Sequence, residues 1–339
     1  MYRHWGTIVG ATIYFAASSF AFGQELTIAT YGGSWMDDVR VCHVEPFEAE
    51  TGVKVTIKPG NSAEFAVALR SGAGSSGIDV VTLEDPVNIQ VKSEGLLETL
   101  DRSKLPKAAG LDERHWDKDN TYVRYLLGLT TLVYNPDLVK PAPTSWNDLF
   151  DPKYTGKISI GDIGQVSSRH LLMFFNEQGG GTGEDITPGI TKMNELARNS
   201  ITLYTQADQL ISLFDREEIV LSAWYPNRAA SAAEKGAKLA VAYPKEGAIG
   251  GLSTLSIPKG SQHPDLAHKF IDIALSEEGQ KCFTDRQFVV PIRPVEASET
   301  AAKYLPTKEE MARVQYLDYA AAAAHFADWA RRWQREVGR

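Results

Sequence analysis

Tyr31, Ser34 and Trp35 stand where a β-branched run, Thr27-Ile-Ala-Thr30, meets the turn Gly32-Gly33. Aromatic and hydroxyl groups projected from a strand end suit the capture of a small molecule, because stacking and hydrogen bonding hold a ligand without a nucleophile or base. The chain sets no strong catalytic pattern beside them. HExxH and GxSxG signatures are missing, and none of the seven His residues has metal-ligand spacing. Cys42 and His43 are neighbours on a helix expected over 36–50, so their side chains diverge and cannot work as a nucleophile–base pair. The run Gly179-Gly-Gly-Thr-Gly183 follows a helix and lacks the Lys-Ser/Thr of a phosphate cradle, so it reads as a surface loop. The expectation is a protein that is not an enzyme and carries no cofactor or metal.

The elements that must position these groups alternate. Strands are expected at 26–30, 53–58 and 78–82, followed by helices at 36–50, 62–71 and 86–94. That alternation, broken by Gly72, Gly74 and Gly77, is the pattern of a parallel sheet covered by helices. A second alternating unit follows Pro136, Pro141 and Pro143: strand 157–160, helices 166–177, 187–198 and 206–215, then the apolar strand 219–225. Residues 122–135 exceed a usual strand and read as a strand pair or a crossover between domains. Passages near 125–135 and 250–257 join the units, and two such crossings suggest a hinge with a cleft between them. Helix 264–275 would cover another sheet, and the tail from 308 to 336 reads as helical, with Trp329 and Trp333 on one face as core packing.

Residues 1–23 fit an export signal: Arg3 and His4 give a basic start, Gly6 to Phe22 an apolar run, and Ala21 and Gly23 small residues ahead of Gln24. A retained membrane anchor is the weaker alternative, since the run is short and contains Ser and Thr. A soluble periplasmic product is expected. The 339-residue chain is 43% apolar and 23% charged, ordinary for a globular protein and large enough for two domains. Its net charge of −8 carries no basic stripe and excludes nucleic acid as an expected partner. Cys42 and Cys282 are the whole cysteine complement; in an exported chain they are expected to bridge, two buried thiols being the alternative.

Several segments carry a resemblance in order along the chain. They are Thr27-Ile-Ala-Thr-Tyr-Gly-Gly-Ser-Trp35, Pro46-Phe-Glu-Ala-Glu-Thr-Gly-Val53, Gly95-Leu-Leu-Glu-Thr-Leu-Asp101, Thr144-Ser-Trp-Asn-Asp-Leu-Phe150, Pro244-Lys-Glu-Gly247 and Trp329-Ala-Arg-Arg-Trp333. Together they resemble the periplasmic solute-binding proteins of ABC importers, in particular the spermidine/putrescine-binding branch. The resemblance implies an α/β, two-lobed type II binding fold, each lobe a mixed sheet flanked by helices. Lobe 1 would take 24–130 plus about 257–300, and lobe 2 would take 131–256 plus about 301–339. It also implies a monomer that binds without chemistry and delivers its ligand to a membrane permease.

On that resemblance the interlobe cleft is lined by strand ends: Tyr31, Ser34, Trp35, Glu84 and Asp85 from lobe 1, and Thr130 in the crossing. Lobe 2 supplies Asp162, Gln165, Trp224, Tyr225 and Arg228. A carboxylate there suits an ammonium, and an aromatic face adds cation–π attraction. Several of these positions have plain structural roles open to them: Trp35, Trp224 and Arg228 could simply pack or be solvated, Asp162 could cap helix 166–177, and Glu84 and Asp85 could cap the helix that starts at Pro86. The resemblance is incomplete at one place. Where polyamine binders carry a Trp and an Asp after the Lys-Glu-Gly passage, this chain has Gly251 and Ser253. Glu84 and Asp85 would supply charge from the other lobe, and Arg228 could receive a carboxylate by a bidentate fork. A polyamine is the first expectation; an amino acid, an opine or a γ-aminobutyrate-like ligand is the competitor.

Overall fold

The computed structural model describes residues 25–72 and 76–337; the export signal read over residues 1–23 lies outside them. Strands β1 (Glu25–Tyr31), β2 (Lys54–Gly60) and β3 (Val80–Glu84) are parallel, with β1 between the other two. The helical stretch between β1 and β2 runs through α1 (Ser34–Val39), a π turn (Arg40–Val44) and α2 (Glu45–Thr51). It starts at Gly33, whose positive φ of 68° suits glycine. Helix α3 (Ser62–Ser71) is opened by a capping box in which Asn61 and Glu64 satisfy each other's backbone N–H groups. Helix α4 (Asp85–Ser93) begins directly at the end of β3, with Pro86 in its first turn.

Strand β4 (Val123–Tyr134) is a single twelve-residue strand and the spine of the molecule. The second unit adds β5 (Ile158–Gly161), α5 (Val166–Gln178), α6 (Thr187–Asn199), β6 (Ser200–Tyr204), α7 (Ala207–Asp215), β7 (Leu221–Trp224), α8 (Pro226–Ala233) and β8 (Ala240–Ala242). The chain returns through β9 (Ile249–Ser256) to α9 (Pro264–Ala274), α10 (Glu277–Gln287) and β10 (Val290–Pro291). It ends with α11 (Glu299–Ala302), α12 (Lys308–Met311) and α13 (Tyr319–Glu336).

The strand order is β2-β1-β3-β9-β4-β7-β5-β6, with β8 and β10 also paired to β4. Strand β9 is antiparallel to β4 from Val123↔Leu255 to Thr130↔Ile249, and its last residues pair with β3. Beyond Thr130, β4 pairs instead with β7 and β8. One strand thus serves two sheets, each covered by its own helices. A core around Leu26, Phe47, Phe270 and Phe283 holds the first lobe, and cores around Trp146, Leu172 and Trp329 and around Tyr204, Leu210 and Phe214 hold the second.

The tail departs from the expected continuous helix over 308–336. It breaks between α12 and α13, where Gln315 forms a parallel bridge with Ile249 and accepts the N–H of Gly250. Helix α13 then packs across both lobes, against α4 and α6, with Trp329 and Trp333 buried. Among the described residues no helix is long and apolar enough to cross a membrane.

Candidate functional site

The lobes meet at the ends of β1, β3 and β7 and the starts of α5 and α8. Tyr31 leaves β1 with its hydroxyl 3.3 Å from Ser62 Oγ and hydrogen-bonded to Ser253. Ser62 Oγ also accepts the backbone N–H of Glu84 at 3.1 Å, and Glu84 lies opposite Ser253 in the β3–β9 ladder. These four residues form the first-lobe wall. Burial pushes the Glu84 carboxyl above its ordinary range, while the nearby Arg169 guanidinium pulls it back. Its side chain keeps 32% exposure, so it is desolvated yet still open to the cleft.

The second lobe answers with cations and phenols. Arg169 Nη2 lies 3.4 Å from Glu84 Oε2. Tyr225 accepts the N–H of Ser167 at the head of α5, and its hydroxyl is raised by burial and then by the Glu84 charge. Arg228 reaches across to donate to Ser34 Oγ at 3.3 Å and forms no ion pair among the described residues. Burial lowers its pKa, with Tyr225 and Asp208 acting the other way. A phenol–carboxylate–phenol seat beside two guanidinium groups can hold an ammonium, a carboxylate, or one of each. No group of His, Cys, Asp and Glu among the described residues could hold a metal ion.

Of the residues proposed from sequence, Tyr31, Ser34, Glu84, Tyr225, Arg228 and Ser253 come together here; Trp35, Asp85, Thr130, Asp162, Gln165 and Trp224 do not. Trp224 is 0% exposed and packs with Tyr204, Leu210 and Phe214. Trp35 is 7% exposed, edge-on to Phe283, with its indole N–H donated to Thr30 Oγ1. Asp85, 3% exposed, turns away to Arg124 at 3.1 Å. Asp162 and Gln165 tie the turn before α5, to the N–H of Gly164 and the carbonyl of Thr205. Ser62, Ser167 and Arg169 were missed; the signal available for the last two was a Ser-Ser-Arg run opening a helix after a strand end. Trp224→Ala is therefore expected to lower unfolding stability by about 3 kcal/mol while leaving ligand affinity within about twofold. Denaturant melts and calorimetric titration of the same variant separate the two effects.

Thr130 serves the crossing. The hydroxyl of Tyr319 donates to the Gly250 carbonyl, so it must accept from His170 Nε2, 2.9 Å away. Nδ1 is then left to accept from Thr130 Oγ1 at 2.9 Å. A Cβ on Gly251 would come within 3.0 Å of this ring, so His170 fills the place where the resemblance sets an aromatic wall. Burial drives His170 down to about 3, and His43, enclosed in the first core, down to about 4. Both folded values lie below the unfolded one. The unfolded chain therefore binds more protons, and stability present above about pH 6.5 is lost as pH falls towards those values. Each ring is expected to cost about 2 kcal/mol by pH 5, with the raised carboxyls of Glu84 and Asp85 opposing part of the loss. Urea midpoints at pH 7 and pH 5, with His43→Leu flattening the difference, provide the check.

Residues 43–312 match the family model for bacterial extracellular solute-binding proteins. The spermidine/putrescine-binding periplasmic protein of Escherichia coli is 26% identical over 278 residues, covering 78% of this chain and 79% of that protein. The gamma-aminobutyric acid-binding protein of Pseudomonas aeruginosa is 26% identical over 314 residues, covering 86% of this chain and 85% of its own length. The crystal structure of an ABC transporter protein from Clostridium perfringens superposes with a TM-score of 0.78 at 24% identity, over 92% of this chain and 99% of that one. The chain belongs to the bacterial extracellular solute-binding protein family.

Proposed function

We propose that this protein captures a small amine-bearing solute outside the cytoplasm and delivers it, as a freely diffusing monomer, to the membrane permease of an ABC importer. A polyamine such as putrescine or spermidine is the first choice of cargo. The observation that carries this reading is Glu84: a desolvated carboxylate at a strand end, with the phenols of Tyr31 and Tyr225 approaching from opposite lobes. An ammonium seated there gains a charge-assisted hydrogen bond to the carboxylate with the two phenol hydroxyls beside it. Relatives named for spermidine, putrescine and cadaverine point the same way. Because the two phenols belong to different lobes, the cargo touches both walls only when the lobes are shut, and that difference in affinity is what shifts the population to the closed form. The protein itself makes and breaks no bond.

Arg228 favours a second reading. Its half-buried guanidinium has a serine hydroxyl but no carboxylate within ion-pair distance among the described residues, and a ligand carboxylate would complete it. An ω-amino acid, with its amine on Glu84 and its carboxylate on Arg228, fits that arrangement. Thermal shift with putrescine, spermidine, γ-aminobutyrate, an opine and ferric ion separates the readings. Ligand at 100 times its dissociation constant adds about 2.7 kcal/mol. Diamines are expected to raise the melting temperature most; a response confined to γ-aminobutyrate transfers the cargo to the second reading, and a response to ferric ion alone defeats both.

A further inference from the structure

We propose that Arg169 is a built-in stand-in for the cargo's ammonium, a latch that biases the empty protein towards its closed form and that the cargo must displace. The inference rests on Glu84 being the carboxylate that receives the amine.

Arg169 projects from the first turn of α5 in the second lobe, and Glu84 ends β3 in the first, so their contact crosses the cleft. Among the described residues Glu84 has no other cation within 4 Å. The contact is loose: 3.4 Å, against roughly 2.7–2.9 Å for a well-formed charge-assisted bond. Meanwhile Arg169 is held from behind. Its Nη1 donates to the carbonyls of Gly164 at 2.9 Å and Ile163 at 3.3 Å, and the ring of Phe326 on α13 faces its guanidinium at 5.3 Å. These three partners retain the cation when Glu84 is taken by something else. Helix α13 in turn packs on α4, the helix that begins beside Glu84, so Phe326 is a positioning residue acting through Arg169.

Two consequences follow from charge alone. Without cargo, the ion pair exists only in the closed form and therefore favours it. With cargo, the guanidinium competes with the incoming ammonium for one carboxylate and then sits beside it as a like charge, which weakens binding.

The test uses the full mature chain, with Arg169→Met breaking the latch and Arg169→Lys retaining the charge. Small-angle X-ray scattering without ligand is expected to show Arg169→Met expanded relative to the native protein, and Arg169→Lys close to native. Calorimetric titration with putrescine and spermidine is expected to show affinity rising about tenfold in Arg169→Met. Glu84→Gln breaks the same pair from the other side: it should expand the empty protein equally while weakening amine binding, which guards against a folding defect peculiar to one variant. Unchanged scattering in both Arg169→Met and Glu84→Gln, or unchanged or reduced amine affinity in Arg169→Met, overturns the latch. If no amine binds any of the variants or the native chain, the amine reading has failed, and scattering alone still decides whether the pair closes the empty cleft.

Discussion

Glu84→Gln is expected to lower affinity for the amine cargo on the order of 100-fold, the scale for removing one member of a largely desolvated charge pair. The replacement keeps shape and volume. The backbone N–H that Glu84 donates to Ser62 is unaffected by the change, so the end of β3 and the start of α4 should hold their geometry. The carboxyl is raised in pKa because burial penalises its charge more than Arg169 relieves it, and a neutral amide removes that penalty. Folding stability is thus expected to stay level or rise while binding collapses, a combination that a misfolded variant cannot produce. Acidification should act in the same direction. A raised carboxyl gains its proton at a pH where an ordinary glutamate is still ionised, so amine affinity should begin to fall earlier on the way down from neutrality than solvent-exposed carboxylates would allow. Calorimetric titrations across pH, with the glutamine variant as the flat control, provide the measurement. Undiminished affinity in the variant would remove Glu84 from the site.

The choice of Glu84 over Asp85 shows how far a sequence carries such an argument. The alternating strands and helices and the two crossings were legible because they depend on composition and spacing, and the family was legible through the resemblance of segments in order along the chain. The candidate site was legible only to the nearest residue pair. Trp224, at the end of β7, is buried in the core with Tyr204, while Tyr225, just past the strand and partly packed on that core, brings its hydroxyl to the N–H of Ser167. Glu84, the last residue of β3, faces Arg169, whereas Asp85, the first of α4, faces Arg124. No residue type distinguishes those neighbours: tryptophan and aspartate look at least as good as ligand contacts as their partners. Trp35 fails for a related reason, since its place on the short helix α1 is fixed by Phe283, a residue far away in the chain. Arg169 escaped notice because nothing local marks a helix residue as reaching across a cleft. Its partners Glu84 and Phe326 lie 85 residues before it and on the C-terminal helix, and only the fold brings them together.

The Cys42–Cys282 bridge carries the other large expectation. Cys42 lies in the π turn and Cys282 in α10; their Cα atoms are 5.6 Å apart and their separation along the chain is 240 residues. Both belong to, or pack against, the first-lobe core, so the bridge does not tie the lobes to each other. Instead it joins the segment before the excursion into the second lobe to the segment after the return. In the unfolded chain that constraint closes a loop containing β4, the whole second unit and β9. The chain-entropy argument gives about 5 kcal/mol for so long a loop, an upper figure because unfolded chains retain structure. Cys42→Ser with Cys282→Ser, or reduction of the native chain, is expected to lower unfolding stability by about 2–5 kcal/mol. Cargo affinity well below the melting temperature should change little, because Trp35 and Phe283 pack between the bridge and the cleft wall at Tyr31 and remain in place. The first lobe should therefore be the part whose amides lose protection from hydrogen exchange, while the second lobe keeps its own. Equal denaturation midpoints with and without reductant would mean that the unfolded chain is already compact enough for the bridge to cost it nothing.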